Sequence, residues 1–400
     1  MTKRIVDTGS KAERIDPVVV GKALGAQGHK TILVTAGPVY GALDPNKVVS
    51  NRSRGIWAVL FAEHLRYTRD RVILLIHDIL PNKGVLGDLK AQGIEVIQHK
   101  GYHEYREKCR ELAPQVDAMV AAAAVVNWIP AAPYPLPSKM ETHGYKEGDI
   151  IQVPFMLAPR VVQEMKVLNP KLTLIGCKLL AGVPQEALIE AAYEGVLIPS
   201  RCNVVVANDL KDLHTKYLVY PDGSVFPYGV EQDGFYEALR AVIDDEHYQT
   251  EWDRTEYPVA GEGQLFDQIV NEHRDRFVKR SSGSDRVFGS LYVPTGDISL
   301  GIVSPREKGK LFSSKDAVVV EGVRGHTIRV TGPNKATLNA PLLVRVAQKY
   351  PQAKAVLHLH EQLPGVPTVP YAPPGTVRDN DREIPGPVFN IEGHGFIQCL

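Results

Sequence analysis

Residues 31–36, TILVTA, form a β-branched, apolar run that ends at Gly37-Pro38. A short apolar run that stops at a turn dipeptide predicts a buried strand entering a turn. The following stretch, RGIWAVLFAEHLRYT (54–68), carries apolar residues at helical spacing, and DRVILLIHDI (70–79) is a second buried strand. A strand, a helix and a second strand in this order predict a βαβ unit with parallel strands.

The alternation of strand and helix continues to about residue 225. Strand signals recur in GIEVIQHK (93–100), DAMVAAAAVVNWI (117–129), KLTLIGCKL (171–179) and NVVVANDL (203–210). Helical stretches, LAPRVVQEMKVL (157–168) and PQEALIEAAYEGVL (184–197), lie between them. This alternation indicates a parallel sheet covered on both faces, so we predict a doubly wound, Rossmann-like α/β domain.

The pattern changes in the second half of the chain. Residues 234–280 are charged and helical, in GFYEALRAVIDDEHYQTEWDR and LFDQIVNEHRDRFVKR. After SSGSDR come short strand-like pieces, GSLYV, DAVVVEG and HTIRVTG, and one helix, NAPLLVRVAQKY. We therefore predict two domains, 1–250 and 251–400.

Composition restricts the partners. Lys plus Arg (46) equals Asp plus Glu (46), so no net field draws the chain to nucleic acid or to an anionic membrane. No apolar stretch approaches the roughly 20 residues of a membrane helix, and MTKRIVDTGSKAERID lacks the apolar core of a secretory signal. Four scattered cysteines predict reduced, mostly buried thiols. We expect a cytoplasmic protein that acts on small molecules.

The segments that follow the first strand contain candidate ligand-binding residues. In an open parallel sheet, ligands bind at the carboxyl ends of the strands, where the strand order reverses. TAGPVYGALDP and SNRSRG (50–55) follow the first strand and are small and polar, so backbone N–H groups around Gly37, Ser50 and Ser53 could bind phosphate. Plain turns have the same composition, and that alternative stays open.

Four separated motifs together resemble a known family. ILVTAGPVYGALDPNKVVSNRSRG, AAAAVVNWIPA, SKM and VVVANDL occur in the order found in phosphopantothenoylcysteine synthetase, the ligase half of the bacterial coenzyme A flavoprotein. The resemblance covers roughly residues 28 to 225. The flavin-binding decarboxylase half of that protein has no counterpart here, so no flavin is expected.

The resemblance implies an acid–amine ligase that uses ATP or CTP with Mg²⁺. In the family, the nucleotide activates the phosphopantothenate carboxylate as an acyl-nucleotide, and the amine of cysteine then displaces the nucleotide. By position, Asn51 and Lys139 match catalytic residues of the family. The resemblance and the phosphate signal together give these nucleotide- and substrate-binding candidates: Gly37, Ser50, Ser53, Asn127, Lys178, Ala207, Asn208 and Asp209.

Departures from the family pattern put the substrate in doubt. Arg54 replaces a serine, and Asn127 replaces an aspartate that helps to hold the nucleotide. Structural roles are also open: Asn51 could cap a helix beginning near Ser53, and Lys139 could be a solvated surface residue. Asn208 and Asp209 could simply end a strand and start a turn.

The segment AVLHLHEQLPGVPTVPYAPPGT (355–376) contains candidate metal ligands. His358 and His360 lie two residues apart on an apparent strand, so both imidazoles should project from the same face. A third ligand is available at His394, in the strand-like IEGHGF (391–396), whose glycines allow close backbone approach. Paired histidines on a strand can also be ordinary core or surface residues.

This second segment resembles the class II aldolase and adducin family, from about Phe288 onward. By position His358, His360 and His394 match the three histidines that hold the family's divalent metal, usually zinc. The family's essential glutamate falls on Asn339, and an amide cannot take a proton at neutral pH. The resemblance therefore implies weak or absent retro-aldol chemistry unless Glu361 or Glu392 substitutes.

Three functions remain open from the sequence. The first is an acid–amine ligase with a metal-bearing second domain. The second is a metal-dependent lyase or epimerase acting on a small phosphorylated sugar. The third is a non-catalytic binding or assembly protein, because Asn127 and Asn339 each replace an expected acid. Both family resemblances imply a homo-oligomer.

Overall fold

The computed structural model describes residues 29–68, 70–78, 83–229, 234–255, 262–279, 285–296 and 300–400. The amino-terminal segment MTKRIVDTGSKAERID and most of SSGSDR lie outside these ranges. The chain divides into two compact units between Leu174 and Ile175. The boundary predicted near residue 250 falls within the second unit.

The first unit contains ten strands and four α-helices among its described residues. The strands are β1 Thr31–Ala36, β2 Pro38–Val39, β3 Gly41–Ala42, β4 Val48–Val49, β5 Arg71–His77, β6 Glu95–His99, β7 Ala118–Ala121, β8 Ala124–Val125, β9 Trp128–Pro130 and β10 Phe155–Leu157. The helices are α1 Ile56–Leu65, α2 Lys83–Ala91, α3 Gly101–Leu112 and α4 Val161–Leu168, and a 3₁₀ turn spans Ala113–Gln115.

The main sheet of the first unit is parallel, with strand order β7-β1-β5-β6. The chain runs outward from β1 through β5 to β6 and then returns to the other side of β1 to form β7. This reversal beside β1 is the arrangement of a doubly wound sheet, and β1 is buried from Ile32 to Ala36. The predicted α/β class is confirmed.

The continuous strand predicted over DAMVAAAAVVNWI (117–129) is wrong in detail. The structure forms β7, β8 and β9 instead, with short breaks between them. The run of small alanines fits a buried strand and gives no signal for its end, because alanine favours neither a strand nor a turn. Beyond β7, the chain pairs with the loop after β1 through β2 and β8.

The second unit contains two groups of strands. β11 Thr173–Leu180 begins at the division, and β12 Val204–Asp209, β13 Asp212–Val219 and β14 Val225–Gly229 follow. β11 and β12 are parallel, whereas β12, β13 and β14 are antiparallel. The helices α5 Gln185–Ala192 and α6 Ile198–Ser200 flank a π turn at Tyr193–Leu197.

The later group forms a nine-stranded mixed sheet. The strands are β15 Gln249–Asp253, β16 Ser290–Pro294, β17 Gly301–Val303, β18 Val318–Arg324, β19 Thr327–Thr331, β20 Val356–Leu359, β21 Thr368–Val369, β22 Val388–Ile391 and β23 Gly395–Cys399. Their order is β15-β19-β18-β17-β16-β20-β23-β22-β21. The helices are α7 Gly234–Asp244, α8 Glu262–Glu272, α9 Ala340–Lys349 and α10 Val377–Asn380, with 3₁₀ turns at Arg274–Arg276 and Ser314–Asp316.

Two sequence predictions for the second unit are wrong. The helical interpretation of 234–254 holds only to Asp244, because Gln249–Asp253 is β15, paired in parallel with β19. His394 lies in the turn between β22 and β23 rather than on a strand. Within the described residues, no helix is both long enough and apolar enough to cross a membrane.

Candidate functional site

β20 brings the paired histidines to one face of the sheet. Val356 packs in one hydrophobic cluster, and Leu357 and Leu359 pack in another. Because side chains alternate along a strand, His358 projects from the same face as Val356. β20 lies between β16 and β23, so His358 is held from both sides in an antiparallel ladder. The ring centroids of His358 and His360 are 5.0 Å apart, as expected for side chains that project together.

The turn after β22 brings the third histidine to the pair. The ring centroid of His394 lies 4.7 Å from that of His358 and 4.5 Å from that of His360. This approach needs the glycine that follows, because a Cβ at Gly395 would lie 2.1 Å from the Leu359 carbonyl oxygen. The ligand nitrogens of the three histidines all lie within 4.8 Å of one another. The predicted three-histidine cluster therefore forms.

Hydrogen bonds fix two of the three rings. Nδ1 of His358 lies 2.9 Å from the Phe396 carbonyl oxygen, which can only accept, so this nitrogen carries the proton. Nδ1 of His394 lies 3.1 Å from Asp222 Oδ2 and 3.1 Å from Ser224 Oγ. The Nε2 atoms of His358 and His394 are buried and have no hydrogen-bond partner among the described residues.

Burial keeps the three imidazoles neutral. It lowers the pKa of His358 to about 4 and lowers the pKa of His360 and His394 well below the usual value. Neighbouring imidazoles lower the pKa of His360 and His394 further, and the Phe288 ring stacks on His360 at 4.8 Å. A neutral imidazole is the form that binds a metal, so this shift favours ligation.

The donor set fits a divalent metal. The Nε2 atoms of His358 and His394 are buried and have no hydrogen-bond donor as a partner among the residues that the structure describes, and a third imidazole lies beside them. A bound cation would interact with these nitrogen lone pairs. Three neutral nitrogen ligands with one remaining coordination position are typical of catalytic zinc sites. The backbone carbonyl at Nδ1 of His358 and the carboxylate at Nδ1 of His394 are the outer contacts that such ligands normally have.

Asn339 occupies the position at which the resemblance to the aldolase family predicts an acid. Asn339 precedes α9 and is buried, and its Oδ1 has no partner within the described chain. Glu361 forms an ion pair with Arg276, and Glu392 is exposed on the turn before His394. Substitution by Glu361 would require that ion pair to open.

Residues that the sequence did not indicate complete this cluster. Asp222 lies in the turn between β13 and β14, and burial raises the pKa of its carboxyl group to about 6. Its Oδ2 accepts a hydrogen bond of 2.9 Å from Tyr371 Oη. The turn PDGS (221–224) is visible in the sequence, but nothing local to it indicates a contact with His394, which lies 172 positions later.

The candidate nucleotide crevice of the first unit lies where the sheet order reverses. Asn51 Nδ2 donates to the carbonyl oxygens of Ala124 and Val125, at 3.1 Å each, which ties the loop before α1 to the segment after β7. Gly37 has φ 75°, and a Cβ at Gly55 would lie 2.2 Å from the Gly37 nitrogen. The capping role considered for Asn51 is wrong, because Gly55 occupies the N-cap of α1.

The other candidates in the first unit are mostly exposed. Ser50, Asn127 and Lys139 are exposed, and Ser53 is half-buried, with its Oγ accepting from the Gly55 N–H at 3.3 Å. The loop that carries Lys139 is anchored by Asp44, whose Oδ2 accepts from the Met140 N–H at 2.8 Å. Backbone hydrogen bonds hold the pKa of the Asp44 carboxyl well below its usual range. Nothing in the sequence near Asp44 indicates this anchoring role.

The remaining candidates lie on β11 and β12 in the second unit. Lys178 pairs with Ala207, and Asn208 Nδ2 lies 3.4 Å from the Lys178 carbonyl oxygen. Asp209 accepts from the backbone N–H groups of Gly182 and Lys211, at 2.8 and 2.7 Å. Its carboxylate therefore stabilises the turns that follow β11 and β12, which is the structural role that the sequence left open for Asp209. Asn208 keeps a buried Oδ1 without a partner in the described part of the chain.

The first part of the chain is similar to proteins that are named for pantothenate metabolism and coenzyme A biosynthesis. Residues 27–217 match the family model of the DNA/pantothenate metabolism flavoprotein C-terminal domain. The coenzyme A biosynthesis bifunctional protein CoaBC of Thermococcus kodakarensis is 26% identical over 182 residues, which cover 46% of this chain. The aligned part is 42% of that protein, so this chain spans less than half the length of its curated relative.

Two solved structures are each similar to a part of the chain. The DNA/pantothenate metabolism flavoprotein from Streptococcus pneumoniae is 18% identical and covers 53% of this chain and 96% of its own, with a TM-score of 0.43. An L-fuculose 1-phosphate aldolase is 16% identical and covers 36% of this chain and 76% of its own, with a TM-score of 0.28. The fold assignment rests on the strand order described above.

Proposed function

We propose that the chain is an acid–amine ligase that works through an acyl-nucleotide, with phosphopantothenate and cysteine as the first pair of substrates to test. The observation that supports this most is the match of residues 27–217 to the pantothenate-metabolism domain, in which Asn51 lies at the reversal point of the sheet. The nucleotide is ATP or CTP with Mg²⁺.

The proposed reaction has two steps. A carboxylate oxygen attacks the α-phosphorus of the nucleotide, and pyrophosphate leaves. The amine nitrogen then attacks the acyl carbonyl, loses a proton, and expels the nucleoside monophosphate as the amide forms. Lys139 supplies positive charge beside the phosphates, and Asn51 contacts the acyl-nucleotide, as the family resemblance implies.

The test is direct product analysis. Purified protein is mixed with Mg²⁺, phosphopantothenate, cysteine and either ATP or CTP, and pyrophosphate and nucleoside monophosphate are measured. Turnover that falls at least a hundredfold in Lys139→Ala supports the proposal, since loss of one charge-stabilising donor typically has this effect. Lys146→Ala, another exposed lysine of the same long loop, is the matched control. Nucleotide binding by calorimetry without any turnover would favour the non-catalytic alternative.

A second candidate function is supported by a separate observation, the buried three-histidine cluster. We propose that it holds one divalent metal, most suitably zinc, through His358, His360 and His394. When bound, such a metal polarises a carbonyl or hydroxyl oxygen of a substrate. The chain's own residues orient the ligands: the Phe396 carbonyl fixes His358, and the β13–β14 turn fixes His394.

Metal analysis tests the second candidate. After zinc loading and dialysis we expect close to one equivalent in the parent protein and about a tenth or less in His358→Ala, because two remaining imidazoles bind weakly. His326→Ala, an exposed histidine that pairs with Asp381, is the control. A parent protein that retains no zinc would refute the metal site. An assay for aldol cleavage or epimerisation of small sugar phosphates then addresses the reaction.

A further inference from the structure

The turn between β13 and β14 reaches the three-histidine cluster. Its strands precede the residues that resemble the aldolase family, yet the turn packs directly against the turn that carries His394. A Cβ at Gly393 would lie 2.7 Å from Cε1 of Phe226, which is on β14 beside this turn, so the hairpin and the turn that carries His394 are in close contact. The rings of Phe226 and Tyr371 are 4.6 Å apart and extend this contact to the proline-rich loop.

Asp222 is the polar centre of this contact. Its Oδ1 accepts from the Ser224 N–H at 3.0 Å, and its Oδ2 accepts from Tyr371 Oη at 2.9 Å. The same Oδ2 lies 3.1 Å from His394 Nδ1. Because an ionised carboxylate can only accept, this set of contacts requires the proton of His394 to be on Nδ1. The lone pair of Nε2 is then free on the side of the ring facing away from Asp222.

Resting on the proposed metal site, we propose that Asp222 is a positioning residue for the metal. It accepts the His394 Nδ1–H, fixes the tautomer and the ring orientation, and directs Nε2 toward the other two imidazoles. Its negative charge also raises the basicity of the imidazole, which strengthens the metal–nitrogen bond. Tyr371 and Ser224 hold Asp222 in the orientation that this function needs.

Asp222 lies far from the three ligands in the sequence. The three ligands all lie after residue 357, whereas Asp222 belongs to a hairpin that continues from β12. The metal site of this chain is therefore completed by a segment outside the aldolase-like region. His358 differs, because its Nδ1 partner, Phe396, lies within that region.

The experiment measures zinc affinity of the full chain by competition with a chromophoric chelator. We expect Asp222→Asn, which keeps the size but removes the charge, to weaken zinc binding about tenfold, and Asp222→Ala to weaken it up to about a hundredfold. Asp212→Asn, at the other end of β13, is the matched control and should bind zinc as the parent does. The Co²⁺ absorption spectrum should also change in the Asp222 variants, because a reoriented imidazole alters the ligand field.

The outcomes separate this inference from the metal site itself. If the parent binds no zinc, both the site and the role of Asp222 are refuted. If the parent binds zinc and Asp222→Asn binds it within twofold with an unchanged Co²⁺ spectrum, the role of Asp222 alone is refuted. If circular dichroism shows that the Asp222 variants do not fold, Tyr371→Phe decides, because it removes the hydroxyl group that donates to Asp222 Oδ2. Zinc affinity within twofold of the parent in Tyr371→Phe then overturns the inference.

Discussion

At the scale of single residues, three of the buried histidines show two patterns of ring contacts. His358 and His394 have a defined partner at Nδ1 and an unpartnered Nε2. His99, at the end of β6 in the first unit, is completely buried, and neither ring nitrogen has a side-chain partner in the described residues. The first pattern suits a metal ligand, whereas the second makes His99 a group that must remain neutral in the folded protein.

We predict that His99 makes the first unit sensitive to mild acid. Burial, followed by the nearby His77, lowers the pKa of His99 from 6.5 to about 4. Between these values the unfolded chain binds the proton and the folded chain does not, so stability is complete above pH 6.5 and is lost as the pH falls toward 4. The ionisation of His99 should lower the free energy of unfolding by about 2 kcal/mol when the pH is lowered from 7.5 to 5.

Urea unfolding at both pH values measures this contribution. His99→Leu removes the titrating group, so the variant should lose about 2 kcal/mol less than the parent over the same range. His143→Leu, at an exposed position, should leave the parent's pH dependence unchanged. An equal loss of stability in His99→Leu and the parent would contradict the prediction.

The residue scale also shows what the sequence could predict. His358, His360 and His394 were identified because a two-residue spacing on a strand has a fixed geometric meaning and because a third histidine was available. Asp222 and Tyr371 could not be identified, since their contact with the cluster depends on how a distant hairpin packs. Ser224 and His394 are separated by 170 positions, and no periodicity extends over such a distance.

At the scale of elements, the buried strands were the most predictable part. β1 and β5 are apolar, bounded by turn residues and buried on both faces, so hydrophobic patterning and tertiary structure agree. β15 was missed because QTEWD is polar and follows a strongly helical stretch. β15 forms because β19 lies beside it and pairs with it in parallel. Whether a partner strand lies nearby depends on the tertiary structure and not on the local sequence.

The hairpin of β9 and β10 exposes an unusual amount of apolar surface. Trp128, Met156 and Leu157 are 57%, 50% and 62% exposed, and Trp128 pairs directly with Leu157 across the hairpin. Exposed contiguous apolar residues commonly mark a protein interface. Since the family resemblance also implies a homo-oligomer, we propose that a second copy of the chain covers this hairpin.

Sedimentation velocity tests the role of the hairpin. We predict that the parent sediments as an oligomer of the 44.1 kDa chain and that Leu157→Glu shifts it toward the monomer, because a buried, unpaired carboxylate is costly. Val167→Glu, at a position on α4 that is 70% exposed, is the matched control and should keep the parent's mass. If Leu157→Glu sediments with the same mass as an oligomeric parent, this surface is not the interface between copies of the chain.

At the scale of the whole molecule, the candidate sites belong to different sets of residues. Asn51 and Lys139 lie in the first unit, whereas every member of the histidine cluster, including Asp222, lies in the second. A ligand that binds only the folded form of one unit stabilises that unit by mass action. Zinc should therefore act selectively on the second unit.

Differential scanning calorimetry with and without zinc tests this selectivity. At a free zinc concentration a hundredfold above the dissociation constant, the free energy of unfolding of the zinc-binding unit increases by about 2.7 kcal/mol. For a unit of this size that corresponds to an increase in Tm of roughly 5–10 °C. We expect the unfolding transition that includes the second unit to move with zinc, and we expect no transition to move in His358→Ala. Joint movement of both transitions would mean that the units unfold together, and movement in His358→Ala would mean that zinc binds elsewhere.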